Sequence, residues 1–247
     1  MDNLDSKRIV DTIVILCKRI NERFPQSGLS SLCLELRTIA QESTSRCEWI
    51  EKPHWLLRMG IGFIIILFIF TLLTIVRSAV NFSAIHDLKL VDFLQLLDAG
   101  MNSIILIGAA LLFVITVETR RKRQRAIKAI HQLRVLAHVI DMYQLTKDPE
   151  RIVRNRTQWT SSSPRETMTA FELTRYLTYC SEMLSLVGKI AALYVQDFQD
   201  AIVLEAVNDV ETLTTGLSQK IWQKILILHR LKEQNSATTT TTQSKNE

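Results

Sequence analysis

The sequence predicts an all-α protein, a two-helix transmembrane hairpin joined to a cytoplasmic helical bundle. Three observations carry this expectation. Two uncharged apolar runs lie mid-chain, "MGIGFIIILFIFTLLTIV" from Met59 to Val76 and "AGMNSIILIGAALLFVITV" from Ala99 to Val117. Apolar residues at three-four spacing flank them on both sides, as amphipathic helices require. Directly behind the second run, five of the six residues from Arg120 to Arg125 are basic.

The runs decide the membrane reading. Overall composition is ordinary, 47% apolar and 22% charged, but the apolar excess is concentrated in these two stretches. At ~1.5 Å per helical residue they reach roughly 27 and 28 Å, close to a bilayer's hydrocarbon thickness. Spans are therefore expected over 56–76 and 99–117, with an outer loop at 77–98. That loop offers Arg77 and Lys89 against Asp87, Asp92 and Asp98, whereas Arg120, Arg121, Lys122, Arg123, Arg125 and Lys128 follow the second run. Basic residues favour the cytoplasmic flank. The expected localisation is the inner membrane, multi-pass, with both termini cytoplasmic. The same six residues are expected to anchor that topology and to neutralise anionic lipid headgroups. This placement accounts for the net charge of +5 without nucleic acid.

Residues 1–55 form the N-terminal cytoplasmic helices. Ile9, Ile13, Leu16, Cys17, Ile20 and Phe24 share one face of the first, and Pro25 ends it, with Gly28 free to turn the chain. Leu29, Leu32, Leu36 and Ile39 mark a second helix. Within the hairpin, 56–117, the loop itself carries an apolar face of Leu90, Phe93, Leu94 and Leu97, so it holds a short helix or extends the second span. Residues 118–146 continue that span as one cytoplasmic helix, stopping near "TKDP" where Pro149 disfavours continuation. A polar linker, 147–162, follows.

The bundle occupies 163–234. Ser163, Pro164 and Glu166 fit a capping box at its start. Leu173, Leu177, Cys180, Leu184, Val187, Ala191 and Tyr194 then alternate by four and three, a coiled-coil-like seam that needs a partner helix. Val203, Val207, Val210, Leu213, Leu217, Ile221, Ile225 and Leu228 make another apolar face. The better candidate for a break between them is "TTGLSQK", where Gly216 can end one helix and Ser218 cap the next; Asp197 or Asp200 can also start a new one. The segment around Trp222 is basic and amphipathic, and reads as the last core helix in preference to a membrane-surface one. Residues 235–247, "NSATTTTTQSKNE", are expected to be a disordered tail.

Chemistry is sparse. No GxSxG, HExxH, Walker loop or CxxC is present, and seven glycines leave little for a phosphate-cradling loop. An enzyme is not expected, nor any cofactor. His131, His138 and Asp141 lie along one side of a helix and are weak metal candidates, with Glu172 or Glu182 as a further ligand. Bundle metal sites normally show an i, i+3 carboxylate–histidine pair on more than one helix, so pairing of polar residues within the bundle is preferred. Cys17, Cys33, Cys47 and Cys180 lack metal or redox spacing and are expected to be reduced packing residues.

The stretch "HQLRVLAHVIDMYQLTKDPE", with "FPQSGL" upstream and "TTGLSQKIWQKI" downstream, resembles a family of uncharacterised bacterial two-span helical membrane proteins. The order of helix, two spans and cytoplasmic helices is also similar to SLATT-type effector domains. Neither resemblance brings functional residues. Together these readings predict a non-enzymatic inner-membrane protein whose cytoplasmic helices mediate self-assembly or partner binding, as a homo-oligomer or with a cytoplasmic protein. The competing expectation is an oligomeric two-span pore or membrane-disrupting effector gated by the cytoplasmic part.

Overall fold

The computed structural model describes residues 4–51, 55–82, 90–149, 168–196, 198 and 200–243. Among them are six helices: α1 (Ser6–Arg23), α2 (Gly28–Glu51), α3 (Trp55–Phe82), α4 (Leu90–Leu145), α5 (Ala170–Gln196) and α6 (Ala201–Gln243). They fall into two units, Met1–Trp49 with Arg125–Glu247, and Ile50–Gln124.

In the first unit, Asp5 caps α1 by accepting from the Lys7 and Arg8 N–H groups at 2.9 and 3.4 Å. Ile9, Ile13, Leu16, Cys17 and Ile20 are buried, the stripe the spacing predicts. Phe24 closes the helix, and the turn is made by Gln26 at φ 56°, not by Gly28. Gly28 instead opens α2, where a Cβ would run into the Tyr143 ring. Its role is close approach, so no other residue fits without moving that ring. Ser27 Oγ accepts from the Ser30 N–H at 3.1 Å and caps α2.

Helix α5 is the centre of this unit. All seven seam residues from Leu173 to Tyr194 are buried, and so are Tyr176, Tyr179, Met183, Leu186, Ile190 and Leu193. A helix covered on that many sides has neighbours on more than one face. Its capping box is Thr169 and Glu172. The Thr169 N–H donates to Glu172 Oε2 at 2.7 Å, and the Glu172 N–H to Thr169 Oγ1 at 3.2 Å. The box expected at Ser163, Pro164 and Glu166 lies outside the described residues, as does most of the expected linker.

The break between α5 and α6 falls before Ala201, not at Gly216. Asp200 Oδ1 accepts from the Ile202 and Val203 N–H groups at 3.1 and 3.2 Å, satisfying donors a helix start leaves open. Gly216 lies inside an unbroken α6, whose buried face runs Val203, Val207, Val210, Thr214, Leu217, Ile221, Ile225, Leu228. Thr214 takes the inward place expected of Leu213. It faces Gly188, where a Cβ would stand 3.3 Å from its Oγ1, so α5 and α6 approach closely there. Trp222 points outward, 60% exposed, while its neighbours Ile221 and Ile225 enter the core. The helix continues through Gln243, into the threonine run where a disordered tail is expected.

The rest of the unit closes on this pair. Ala126, Ala129, Ile130, Leu133, Leu136, Ala137 and Ile140 of α4 are buried. Lys224 of α6 donates to the Gln144 and Lys147 carbonyls at 2.8 and 3.1 Å, placing a cation at the C-terminal end of α4. Tyr194 donates its hydroxyl to Ser43 Oγ at 3.0 Å in the interior, joining α5 to α2. Phe24 meets Tyr176 and Tyr179 edge-on, with centroids 5.6 and 6.3 Å away.

The transmembrane hairpin is not what the chain builds. Among the described residues one helix, Asp98–Leu145, is long and apolar enough to cross a membrane by length and composition. The apolar stretch of α3, Met59–Thr74, has fewer than 18 residues. The two-span fold is therefore corrected to a six-helix all-α protein with extensive packing between helices. The multi-pass inner-membrane localisation with two cytoplasmic termini, the bilayer and anionic-headgroup partners, the oligomer of such spans and the two-span pore fall with it. Within the second unit, Phe63, Ile66 and Phe70 are exposed. Helix α4 starts at Leu90, so the expected outer loop is helical from there on.

Candidate functional site

Two concavities lie side by side where α1 meets α5. The larger is a groove of about 710 Å³. Leu4, just ahead of α1, lines it with Arg8, Thr12, Ile15 and Arg19 along that helix and Glu182, Leu186 and Lys189 along α5. Ile9 and Leu16 form a floor already buried in the core, while Ile15 stands 59% exposed above it. The α1 positions recur every three or four residues, so the groove follows the helix from Arg8 to Arg19, about 17 Å at ~1.5 Å per residue. Its rim is charged with both signs. Arg19 Nη1 lies 3.5 Å from Glu182 Oε2, and Arg8 Nε lies 3.5 Å from Asp5 Oδ2. Lys189 donates to Ser185 at 2.7 Å.

The smaller concavity, about 390 Å³, is lined by Arg19, Glu22, Arg23, Arg175 and Tyr179. Aromatic faces hold two of its guanidiniums: Arg19 sits 5.4 Å from the Tyr179 ring centroid and Arg23 5.3 Å from that of Phe171. Sequence reasoning missed this cluster. Arg19 and Arg23 repeat at i, i+4, but that Arg175 and Tyr179 face them is a matter of helix pairing.

The residues predicted as metal ligands do not gather. His131 is exposed and lines a third pocket with Glu35 and Glu42 of α2, whereas His138 and Asp141 lie outside it. Asp141 accepts from Gln144 Nε2 at 2.6 Å. Glu172 is committed to the α5 cap and Glu182 to Arg19. Among the described residues no group of three or more His, Cys, Asp or Glu side chains is placed to hold a metal ion.

The basic cluster lies along α4. Arg120, Arg121, Arg125 and Lys128 are exposed, and Lys122 and Arg123 half-buried. Lys122 pairs with Glu118 at 3.0 Å, one helical turn away. The topology these residues are expected to anchor is the one corrected above.

Two cysteines differ from expectation. Cys17 of α1 and Cys33 of α2 form a disulfide, with Cα atoms 5.5 Å apart, within the usual range for a bridge. Cys17 Sγ also lies 3.0 Å from the Cys33 carbonyl oxygen, an acceptor for its S–H when the bridge is reduced. Cys180 is a free buried thiol. Burial pushes its pKa up to about 12, which keeps it protonated and a poor nucleophile. Burial likewise raises Tyr176 above the ordinary phenol range.

In comparisons with protein-family models, curated proteins and solved structures, nothing matches this chain.

Proposed function

We propose that the first unit is a non-catalytic recognition module that takes an amphipathic helix of a partner protein into the groove between α1 and α5. The observation carrying this reading is Ile15. A large aliphatic side chain, 59% exposed, stands over an apolar floor inside a concavity of about 710 Å³. Exposed aliphatics scattered over a surface need no explanation, but one inside a charged-rimmed groove marks a contact surface.

Shape favours a helix as occupant. The groove runs along several turns of α1, and a docked helix presents its apolar face at i, i+3, i+4 and i+7 to such a surface. Arg8, Arg19 and Lys189 stand against Asp5 and Glu182 on the rim. This cationic balance favours a partner whose polar flanks are acidic, and rim charges of this kind govern encounter rate and register more than affinity.

Site-specific photo-crosslinking tests the reading. A photoreactive residue at Ile15 is expected to give one discrete protein adduct in cells, with the cross-linked segment an acidic-flanked amphipathic helix. The same residue at Glu205, exposed on α6, is expected to give none, and Arg8→Glu to weaken the Ile15 adduct. Equal adducts at both positions, or none at Ile15, would overturn it.

A further inference from the structure

We propose that the pocket formed by Arg19, Arg23 and Arg175 is a binding site for a phosphate-type oxyanion, beside the helix-docking groove and sharing Arg19 with it. Two helices converge to make it. Arg19 and Arg23 are one turn apart on α1, Arg175 and Tyr179 one turn apart on α5, and all four line the same cavity of about 390 Å³. Three guanidiniums stand there against one lining carboxylate, Glu22.

Nearby acids offset them only in part. Glu172 binds the Thr169 N–H and hydroxyl at 2.7 and 2.9 Å. Its pKa is held below the ordinary carboxylate value chiefly by that backbone bond and less by Arg23. Glu182 reaches only Arg19, at 3.5 Å. Like charges gathered this way repel one another, and an oxyanion reverses the sign of that interaction. A guanidinium presents a rigid fork of donors that matches phosphate geometry.

Two further observations point to a ligand. The guanidiniums of Arg19 and Arg23 rest at 5.4 and 5.3 Å from aromatic centroids, so they are partly ordered before anything binds. Arg175 Nε is buried with no hydrogen-bond partner. A donor already stripped of water gains more from an acceptor than a solvated one does. The cavity exceeds the size of a single phosphate ion, leaving room for a group esterified to it.

Calorimetric titration of the full chain with inorganic phosphate and with O-phosphoserine, at constant ionic strength, tests the site. Saturable one-to-one binding is expected, with each ligand displacing the other. Tighter binding of O-phosphoserine assigns the site to monoesters, and equal binding to the free anion. Arg175→Met, which keeps the aliphatic stem, is expected to weaken binding at least tenfold, whereas Arg230→Met, exposed on α6 and outside both concavities, leaves it unchanged. Should Arg175→Met fail to fold by circular dichroism, Arg23→Gln at the exposed end of α1 is expected to give the same loss. Non-saturating heats, or the same affinity in the Arg175 and Arg23 variants as in the unaltered chain, would overturn the proposal. Photo-crosslinking at Ile15 is read separately, so failure of either site leaves the other standing.

Discussion

Reducing the Cys17–Cys33 bridge is expected to cost the first unit about 3 kcal/mol. The bridge ties α1 to α2 across a sequence separation of 16 residues. A cross-link closing a loop of that length removes roughly 10 cal/mol/K of chain entropy from the unfolded state, about 3 kcal/mol at 25 °C. Both cysteines are buried, 7% and 0% exposed, so the bridge adds no exposed surface to the folded state. With a urea m-value of about 2 kcal/mol/M, the unfolding midpoint falls by about 1.5 M. The assay is urea unfolding followed by circular dichroism, on protein oxidised with glutathione disulfide, with and without a phosphine reductant. Alkylation of the denatured, unreduced protein is expected to label two of the four cysteines, Cys47 and Cys180. A Cys17→Ala, Cys33→Ala double variant is expected to unfold at the reduced midpoint and to ignore the reductant. Four labelled cysteines after oxidation, or a midpoint the reductant does not move, would refute the reasoning.

Two more perturbations test the packing. Gly28→Ala drives a methyl group into the outer edge of the Tyr143 ring, which is 38% exposed and can turn aside, so it is expected to destabilise by no more than about 1 kcal/mol; adding Tyr143→Leu is expected to recover that loss in the same urea assay. Glu172 has its pKa lowered by the backbone bond to Thr169, so its stabilisation is full above the unfolded carboxylate value and is lost as pH falls through the folded value. Glu172→Gln is therefore expected to lower the melting temperature at pH 7 and to match the unaltered chain at pH 2. A gap that persists in acid would show that the charge is not what holds the cap.

Which helices exist was largely legible in the sequence, because a helix is announced by periodicity along its own stretch of chain. The Ile9–Ile20 stripe and the Leu173–Tyr194 seam are both buried where spacing placed them. Boundaries were less so. Glycine at 216 weighs more by residue type than aspartate at 200, yet Asp200 caps two amides while Gly216 rides inside a packed helix. The capping box followed the same rule of spacing at a different place, Thr169 and Glu172.

Hydropathy alone put two spans in the chain, because a window average reports composition and not what a helix does with its length. Among the described residues one helix passes by length and composition, and the helices of the first unit bury their apolar residues against one another. The candidate sites were hidden for a related reason. Residues 19, 23, 175 and 179 are neighbours only because α1 lies against α5, and residues 17 and 33 meet only because α1 and α2 fold together. Taken alone, the sequence determined helix type, seam and polarity, since these depend on side chains a few residues apart. Tertiary structure decided the pairing of cysteines and of arginines, since both require surfaces from distant parts of the chain to share one space.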